Sequence, residues 1–250
     1  MKRLFLILVV MVFAVSSAVA KGKDTPQKTL TLYNLADEMR PTNMKGLKCT
    51  LTLADGKTVS GYMIDYKDAS RVDVVTMIRT MSRIEIADTP DAKKGTEYNA
   101  NDAKEVVFEK GKKEYQFLSM YVMTPNTRPK NLRHNKQKCF LPLVYENNGI
   151  YGFLSYGDYK EKTKIEGKEM DLVIIDKVLT YVCSYCVEGD EVVVPYWQPD
   201  YKFGIGVKTG LRYCFERFPK VMEYIKDKNF KMKEIAGDPL GFLDKVAELK

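Results

Sequence analysis

The fold class is decided by residues 47–66, which read LKCTLTLADGKTVSGYMIDY. Apolar and polar side chains alternate along 47–53, as in a β-strand with one buried face. Asp55-Gly56 follows, a pair preferred in type I′ turns because glycine accepts a positive φ without a steric penalty. Thr58–Tyr66 then resumes the strand pattern, so the stretch predicts a β-hairpin.

More strand patterns follow the hairpin at short intervals. Residues 89–102 are polar and contain Pro90, Gly95 and Asn99, which predicts a loop. Short strands at this spacing are typical of a small barrel or sandwich, which here would cover residues 29–123. The additional strands predicted in this unit are Arg71–Ile78, Arg83–Ala87, Lys104–Glu109 and Glu114–Val122.

Residues 124–138 interrupt the strand pattern with Pro125, Pro129 and a dense set of basic side chains. This composition predicts a linker between two β units, and a charged linker kept in solvent is the simpler interpretation. The same charges could also neutralise several phosphate or sulfate groups, a contact that salt weakens. The residues predicted to contact a polyanion are Arg128, Lys130, Arg133, Lys136 and Lys138.

Residues 139–250 are predicted to form a second β unit followed by helices. Apolar residues recur at steps of three and four from Leu211 to Ile225, and Pro219 interrupts them, which predicts a kink or two abutting helices. A last helix is predicted from Asp238-Pro239, a cap residue followed by a proline. The strands predicted in this unit are Cys139–Tyr145, Ile150–Tyr156, Met170–Ile175, Val178–Val187 and Glu191–Trp197.

The predicted fold class is therefore α+β and mainly β. It consists of two small antiparallel β units, barrel-like or sandwich-like, with the C-terminal helices packed on them.

The first 20 residues have the three-part layout of a secretory signal peptide. Lys2 and Arg3 give a positive start, Leu4–Val15 form an apolar core, and Ala18 and Ala20 are the small residues before the expected cleavage point. The core is shorter than the roughly 20 apolar residues of a spanning helix. We therefore expect cleavage after residue 20 and export to the periplasm, the cell surface or the medium, with no transmembrane segment remaining.

The composition is typical of a globular protein, with 45% hydrophobic and 29% charged residues. The net charge is +7, and removal of Lys2 and Arg3 leaves +5. A mild positive excess favours anionic partners such as lipopolysaccharide or acidic glycans. The candidate partners are an anionic envelope polymer or another envelope protein, and nucleic acid is not expected.

Five cysteines are too few for a disulfide-framework protein. Export permits one or two bridges, and the odd number leaves at least one thiol unpaired within the chain. Plain packing of buried thiols is the alternative. The candidates for a structural disulfide are Cys139, Cys183, Cys186 and Cys214.

Cys183-Ser184-Tyr185-Cys186 has the spacing of a redox Cys-x-x-Cys motif, which normally opens a helix. Here the motif lies in the alternating stretch Val178–Val187, where residues three apart point to opposite faces of a strand. Two thiols and the single histidine, His134, also do not complete a zinc site. We therefore expect no redox activity, metal or cofactor.

Carboxylates offer the remaining route to catalysis, because a pair of them can cleave a glycosidic bond. Asp65 with Asp68 and Glu188 with Asp190 are such pairs in the sequence. All four fall in predicted turns, where acidic residues are common because they form local hydrogen bonds. No catalytic pair is assigned.

The export signal, the hairpin around Asp55–Gly61, the Gly149 hairpin and the helical segment Cys214–Pro219 together resemble a loose group of proteins. These are uncharacterised exported proteins of Bacteroides-type Gram-negative bacteria. The resemblance implies a periplasmic or surface setting and carries over no active site. We expect a non-enzymatic binding or structural protein of the cell envelope, and the alternative is a hydrolase of envelope or other polymers that uses scattered carboxylates.

Overall fold

The computed structural model describes residues 27–69, 77–123, 133–159, 178–198 and 207–250. Strands are its main secondary structure, with a large sheet and helices at the C-terminal end, which confirms the α+β, mainly β fold class. The described strands are β1 Lys48–Leu53, β2 Thr58–Asp68, β3 Met77–Arg79, β4 Met81–Ala87, β5 Thr96–Asn99, β6 Ala103–Lys110, β7 Lys113–Val122, β8 Cys139–Asn147, β9 Ile150–Tyr159, β10 Val178–Val187 and β11 Val192–Trp197. The described helices are α1 Gln27–Glu38, α2 Pro41–Met44, α3 Val207–Cys214, α4 Pro219–Lys226, α5 Met232–Gly237 and α6 Gly241–Leu249.

Three predicted segments lie wholly or mostly outside the described residues. These are the leader at residues 1–20, the strand Met170–Ile175 and most of the strand Arg71–Ile78.

Strands β1 and β2 form the predicted hairpin, with Lys48 opposite Tyr62 and Thr52 opposite Thr58. Its turn differs from the type I′ geometry, which requires a positive φ at both central residues. Gly56 has a φ of +89°, but Asp55 does not have a positive φ. The type I′ prediction is wrong because the Leu53 N–H donates to the Lys57 carbonyl (2.8 Å), which leaves a three-residue loop, 54–56, instead of a two-residue one.

Strands β8 and β9 form the hairpin predicted at Gly149. Asn147 pairs with Ile150, and the two residues between them, Asn148 and Gly149, have φ values of +47° and +66°. Positive φ at both positions is the type I′ geometry, which matches the right-handed twist of the two strands.

Six strands close into a first ring by antiparallel hydrogen bonding. The pairings run β1–β2, β2–β4, β4–β8, β8–β7, β7–β6 and β6–β1. The β4–β8 contact consists of one residue pair, Met81 with Phe140, and the Thr80 hydroxyl adds a hydrogen bond to the Phe140 carbonyl. These strands share an apolar cluster that contains Cys49, Leu51, Met63, Met81, Ile84, Val106, Phe108, Phe117 and Phe140.

Five strands close a second ring through the pairings β7–β8, β8–β9, β9–β10, β10–β11 and β11–β7. The last pairing is parallel, with Val192 opposite Tyr121 and Val193 opposite Val122. A separate apolar cluster lies among these strands: Met120, Val122, Cys139, Leu141, Phe153, Val182, Cys186 and Val193.

Strands β7 and β8 belong to both rings. Phe140 of β8 joins the first cluster, whereas its neighbours Cys139 and Leu141 join the second. Because successive side chains of a strand point to opposite faces, one strand can line two interiors. The two predicted β units therefore share two strands, and residues 124–138 connect strands that are paired with each other.

Three helices pack on strands of the second ring, whereas α2 contacts β2 of the first ring. Helix α1 contacts β9 and β10, α3 contacts β11, and α6 contacts β9. Tyr185 of β10 stacks on Phe215 with ring centroids 4.6 Å apart, and its hydroxyl donates to the Cys214 carbonyl. The Tyr196 hydroxyl donates to the Pro239 carbonyl (2.7 Å). Both buried phenols thus have hydrogen-bond acceptors, which removes the cost of burying them.

The C-terminal helices confirm two expectations. Pro219 begins α4 as a helix separate from α3, because proline tolerates the first turn of a helix but not its interior. The last helix, α6, begins at Gly241, three residues after Asp238. The Asp238 side chain nevertheless accepts a hydrogen bond from the Gly241 N–H (3.1 Å) at the start of α6.

Several elements were not predicted, among them α1 and β5. Helix α1 lies at the start of the region expected to form the first β unit. Leu32 and Ala36 of this helix, and Met39 directly after it, are buried at steps of four and three. Strand β5 lies in the predicted loop at residues 89–102, where it pairs only with β4 and places Tyr98 opposite Ile84. The loop prediction is wrong there because a short strand with one pairing partner needs little apolar sequence.

Candidate functional site

Three of the five predicted polyanion residues lie in the described part of the chain. Arg133 and Lys136 are exposed, and Lys138 is partly buried. Arg128 and Lys130 lie outside the described residues.

Residues 133–138, which we call the basic segment, are bonded to the end of β7. The Asn135 N–H donates to the Val122 carbonyl (3.1 Å), and the Val122 N–H donates to Asn135 Oδ1 (2.8 Å). Met123 and His134 form an antiparallel bridge. The basic segment is therefore held as an extension of the second ring, although its composition suggested a solvated linker.

A second anchor lies at the other end of the basic segment. The Lys138 N–H donates to Asn101 Oδ1 (2.8 Å) from the 3₁₀ turn Ala100–Asp102. The Lys138 ammonium lies 2.9 Å from Glu191 Oε1, and the Lys138 side chain is only 17% exposed. Lys138 therefore neutralises a carboxylate of this protein, so Arg133 and Lys136 carry the exposed charge of the described segment.

Tyr121 is the residue that sequence reasoning missed. Its ring lies 4.3 Å from the exposed His134 ring, at an interplanar angle of 36°, and the Lys138 ammonium lies 5.2 Å from its centroid. A cation within about 6 Å of an aromatic face is attracted to it. The only signal in the sequence was the position of Tyr121 near the end of β7. The bridge between Met123 and His134 brings the chain after β7 back beside this residue.

This arrangement can hold an anionic group. Arg133 and Lys136 supply charge, the His134 ring supplies a polar edge, and Tyr121 supports the imidazole from beneath. Arginine can bind a phosphate or sulfate through two parallel N–H donors, whereas lysine contributes a point charge. The bonds to β7 fix the backbone that carries these side chains, so less conformational entropy is lost on binding.

The cysteines are all buried, and all five thiols are free in the structure. Cys183 and Cys186 lie on β10, where Cys183 packs in the first apolar cluster and Cys186 in the second. Opposite faces of one strand explain why these two thiols do not pair. Cys139 and Cys214, the other candidates for a disulfide, are also free in the structure, in agreement with the packing alternative.

Burial also makes these thiols unreactive. Loss of solvation raises the pKa of Cys139 and Cys214 to about 12, because a thiolate is poorly stabilised in apolar surroundings. The same cause raises the pKa of Cys186 to about 12. The thiolate is the reactive form of cysteine, so these side chains act as packing groups.

Of the four carboxylates considered for hydrolysis, Asp65 and Asp68 lie in strand β2, so the turn prediction is wrong for them. One acid of each pair contacts a basic side chain. Asp65 lies 3.0 Å from the Lys45 ammonium, and the hydrogen bond from Lys45 lowers the pKa of Asp65. Asp190 forms an ion pair with Arg217. Asp65 is thus stabilised as a carboxylate, whereas a general acid needs a raised pKa. The hydrolase alternative stays a prediction.

Within the described residues, no group of three or more histidine, cysteine, aspartate or glutamate side chains is placed to bind a metal ion. No helix among these residues has the length and apolar character needed to span a membrane.

Comparisons of the chain with protein-family models, with curated proteins and with solved structures find no match.

Proposed function

We propose that this chain is an exported, non-enzymatic binding protein of the cell envelope, and that its basic segment binds an anionic envelope polymer. The observation that carries the proposal is the presentation of Arg133 and Lys136 on a backbone bonded to β7, beside the Tyr121 and His134 rings, whose centroids lie 4.3 Å apart. The leader at residues 1–20 supports export, since its layout is that of a signal peptide.

The contacts of the basic segment favour a repeating anionic ligand. Only two exposed cations and one imidazole are described in it, so a single phosphate would be held weakly. A polymer that carries several sulfate, phosphate or carboxylate groups gains from each contact by releasing its own counterions. The expected ligand class is therefore an acidic glycan or lipopolysaccharide.

Retention on immobilised heparin tests the proposal, with heparin as the probe polyanion. The variant Arg133→Ala with Lys136→Ala removes the two exposed charges of the basic segment. The control, Lys93→Ala with Lys94→Ala, removes the same charge from two exposed lysines of the loop before β5. We expect the first variant to elute at clearly lower salt than the wild type, and the control to elute close to it.

Equal elution of all three proteins would overturn the assignment of this site. An equal loss in both variants would also overturn it, because retention would then follow net charge instead of the basic segment.

A further inference from the structure

We propose that residues 226–233, which we call the lysine turn, dock the protein on an anionic lipid bilayer. The lysine turn joins α4 to α5 and reads KDKNFKMK. The lysine turn belongs to different elements from the basic segment, so docking on a bilayer does not depend on the function proposed above.

Four exposed lysines fall within these eight residues: Lys226, Lys228, Lys231 and Lys233. In the part of the chain that the structure describes, none of the four forms an ion pair. Other surface lysines do, such as Lys113 with Glu38 at 3.0 Å. Like charges so close together repel one another and destabilise the folded chain unless an anion is present.

The one acid of the lysine turn does not neutralise it. Asp227 Oδ1 accepts the Asn229 N–H (2.6 Å), a local turn contact. The Asp227 carbonyl accepts a hydrogen bond from the Lys208 ammonium (3.2 Å). The same ammonium lies 5.2 Å from the centre of the Phe230 ring. Lys208 and the buried Phe230 therefore fix the turn against α3, and the four exposed lysines keep a net excess of positive charge.

The choice of side chain indicates a partner without fixed geometry. All four cations are lysines, whose compact charge on a flexible stem suits diffuse attraction, whereas arginine suits planar two-point recognition. Met232, half-buried, stands between Lys231 and Lys233 and offers a short apolar contact. Basic residues interleaved with apolar ones are typical of segments that lie at a lipid headgroup surface. A bilayer with anionic headgroups attracts each such lysine.

Vesicle sedimentation tests this inference on the full chain. The probes are vesicles of phosphatidylcholine alone and of phosphatidylcholine mixed in equal parts with phosphatidylglycerol. The test variant changes Lys226, Lys228, Lys231 and Lys233 to serine. The control variant changes Lys93, Lys94, Lys110 and Lys112 to serine, which removes the same charge from four other exposed lysines. Residues 1–20 are identical in every protein, so any binding by the leader cancels in the comparison.

We expect the wild type and the control to bind the anionic vesicles in preference to the neutral ones, with salt weakening the preference. Binding of the test variant to the anionic vesicles should fall at least about tenfold. A third variant that changes the same four lysines to arginine keeps the charge and should keep most of the binding.

Three results would overturn the inference: no preference of the wild type for anionic vesicles, an equal loss in the test and control variants, or retained binding by the test variant. If retention on heparin depends on the lysine turn but the protein does not bind vesicles, the ligand of the turn is a soluble polyanion. This outcome would overturn docking on a bilayer. Loss of vesicle binding with normal heparin retention by the basic segment would support the inference independently of the proposed function.

Discussion

Val122 and Asn135 exchange two hydrogen bonds, at 3.1 and 2.8 Å, and so join the end of β7 to the basic segment. This relationship distinguishes an ordered binding surface from a solvated linker. Because Asn135 is uncharged, its replacement can disturb the position of the basic side chains without changing the number of charges.

Replacement of Asn135 by alanine should therefore weaken polyanion binding without changing the net charge. The variant loses the side-chain bond to the Val122 N–H and the bond from its own amide to the Gln137 carbonyl. We expect the free energy of unfolding in urea to fall by about 1 kcal/mol, and elution from heparin to move to lower salt. If stability falls but elution is unchanged, the anchor does not contribute to binding.

Glu38 provides a pH-dependent test of how α1 is attached. The Tyr115 hydroxyl and the Lys113 ammonium both donate to its carboxylate, and these hydrogen bonds lower the pKa of Glu38. A carboxyl whose pKa is lower in the folded chain stabilises the fold above its unfolded pKa, here about 4.5. That stabilisation is lost as the pH falls through the lower folded pKa.

The variant Tyr115→Phe should accordingly lose about 1 kcal/mol of stability at pH 7. Its deficit relative to the wild type should shrink as the pH falls from about 4.5 through the lower folded pKa of Glu38. Urea denaturation across this pH range measures the effect. In a Glu38→Gln background the same substitution should have a smaller effect that does not vary with pH, and a deficit of constant size in both backgrounds would contradict the account.

Much of the sheet follows from the sequence because alternation is a local signal. Val178–Val187 matches β10 residue for residue, and its alternation correctly places Cys183 and Cys186 on opposite faces. The sharing of β7 and β8 by two rings is not local, since it depends on which distant strands meet. A strand that is buried on both faces carries apolar residues on both, so its sequence does not show that two rings share it. The two units therefore looked separate in the sequence.

The candidate site was only half predictable for a related reason. Basic composition marked residues 124–138, but it could not show that Lys138 is neutralised by Glu191, more than 50 residues further along the chain. Tyr121 likewise becomes part of the site only through the bridge between Met123 and His134. These contacts arise from tertiary structure, which composition does not encode.

Thiol titration tests the arrangement of the cysteines. We expect the native protein to react very slowly with a thiol reagent, because all five cysteines are buried and burial raises the pKa of four of them to about 12. Denaturation without a reductant should expose five reactive thiols. Three reactive thiols would instead indicate one disulfide in the isolated protein and would contradict the free-thiol structure.

Gly152 tests the packing of α6 on β9. A Cβ at this position would lie 2.6 Å from Leu243 Cδ1 and 2.9 Å from Tyr145 Cβ, which is closer than carbon atoms pack. Gly152→Ala should therefore destabilise the protein by about 1–3 kcal/mol. Gly237→Ala is the matched control, because nothing lies within 4 Å of its Cβ position and α5 gains a better helix former. Thermal denaturation compares the two, and equal Tm values would contradict the packing.

The most direct test of the proposed binding site uses His134, the only histidine of the chain. Its ring protons give a unique pair of signals in a proton NMR spectrum. The ring belongs to the basic segment, next to Arg133, and its centroid lies 4.3 Å from that of the Tyr121 ring. Titration with a heparin-derived oligosaccharide should shift these signals in a saturable way, and added salt should reverse the shift. Unmoved His134 signals under conditions where the protein is retained on heparin would show that the polyanion binds elsewhere, and would contradict the assignment.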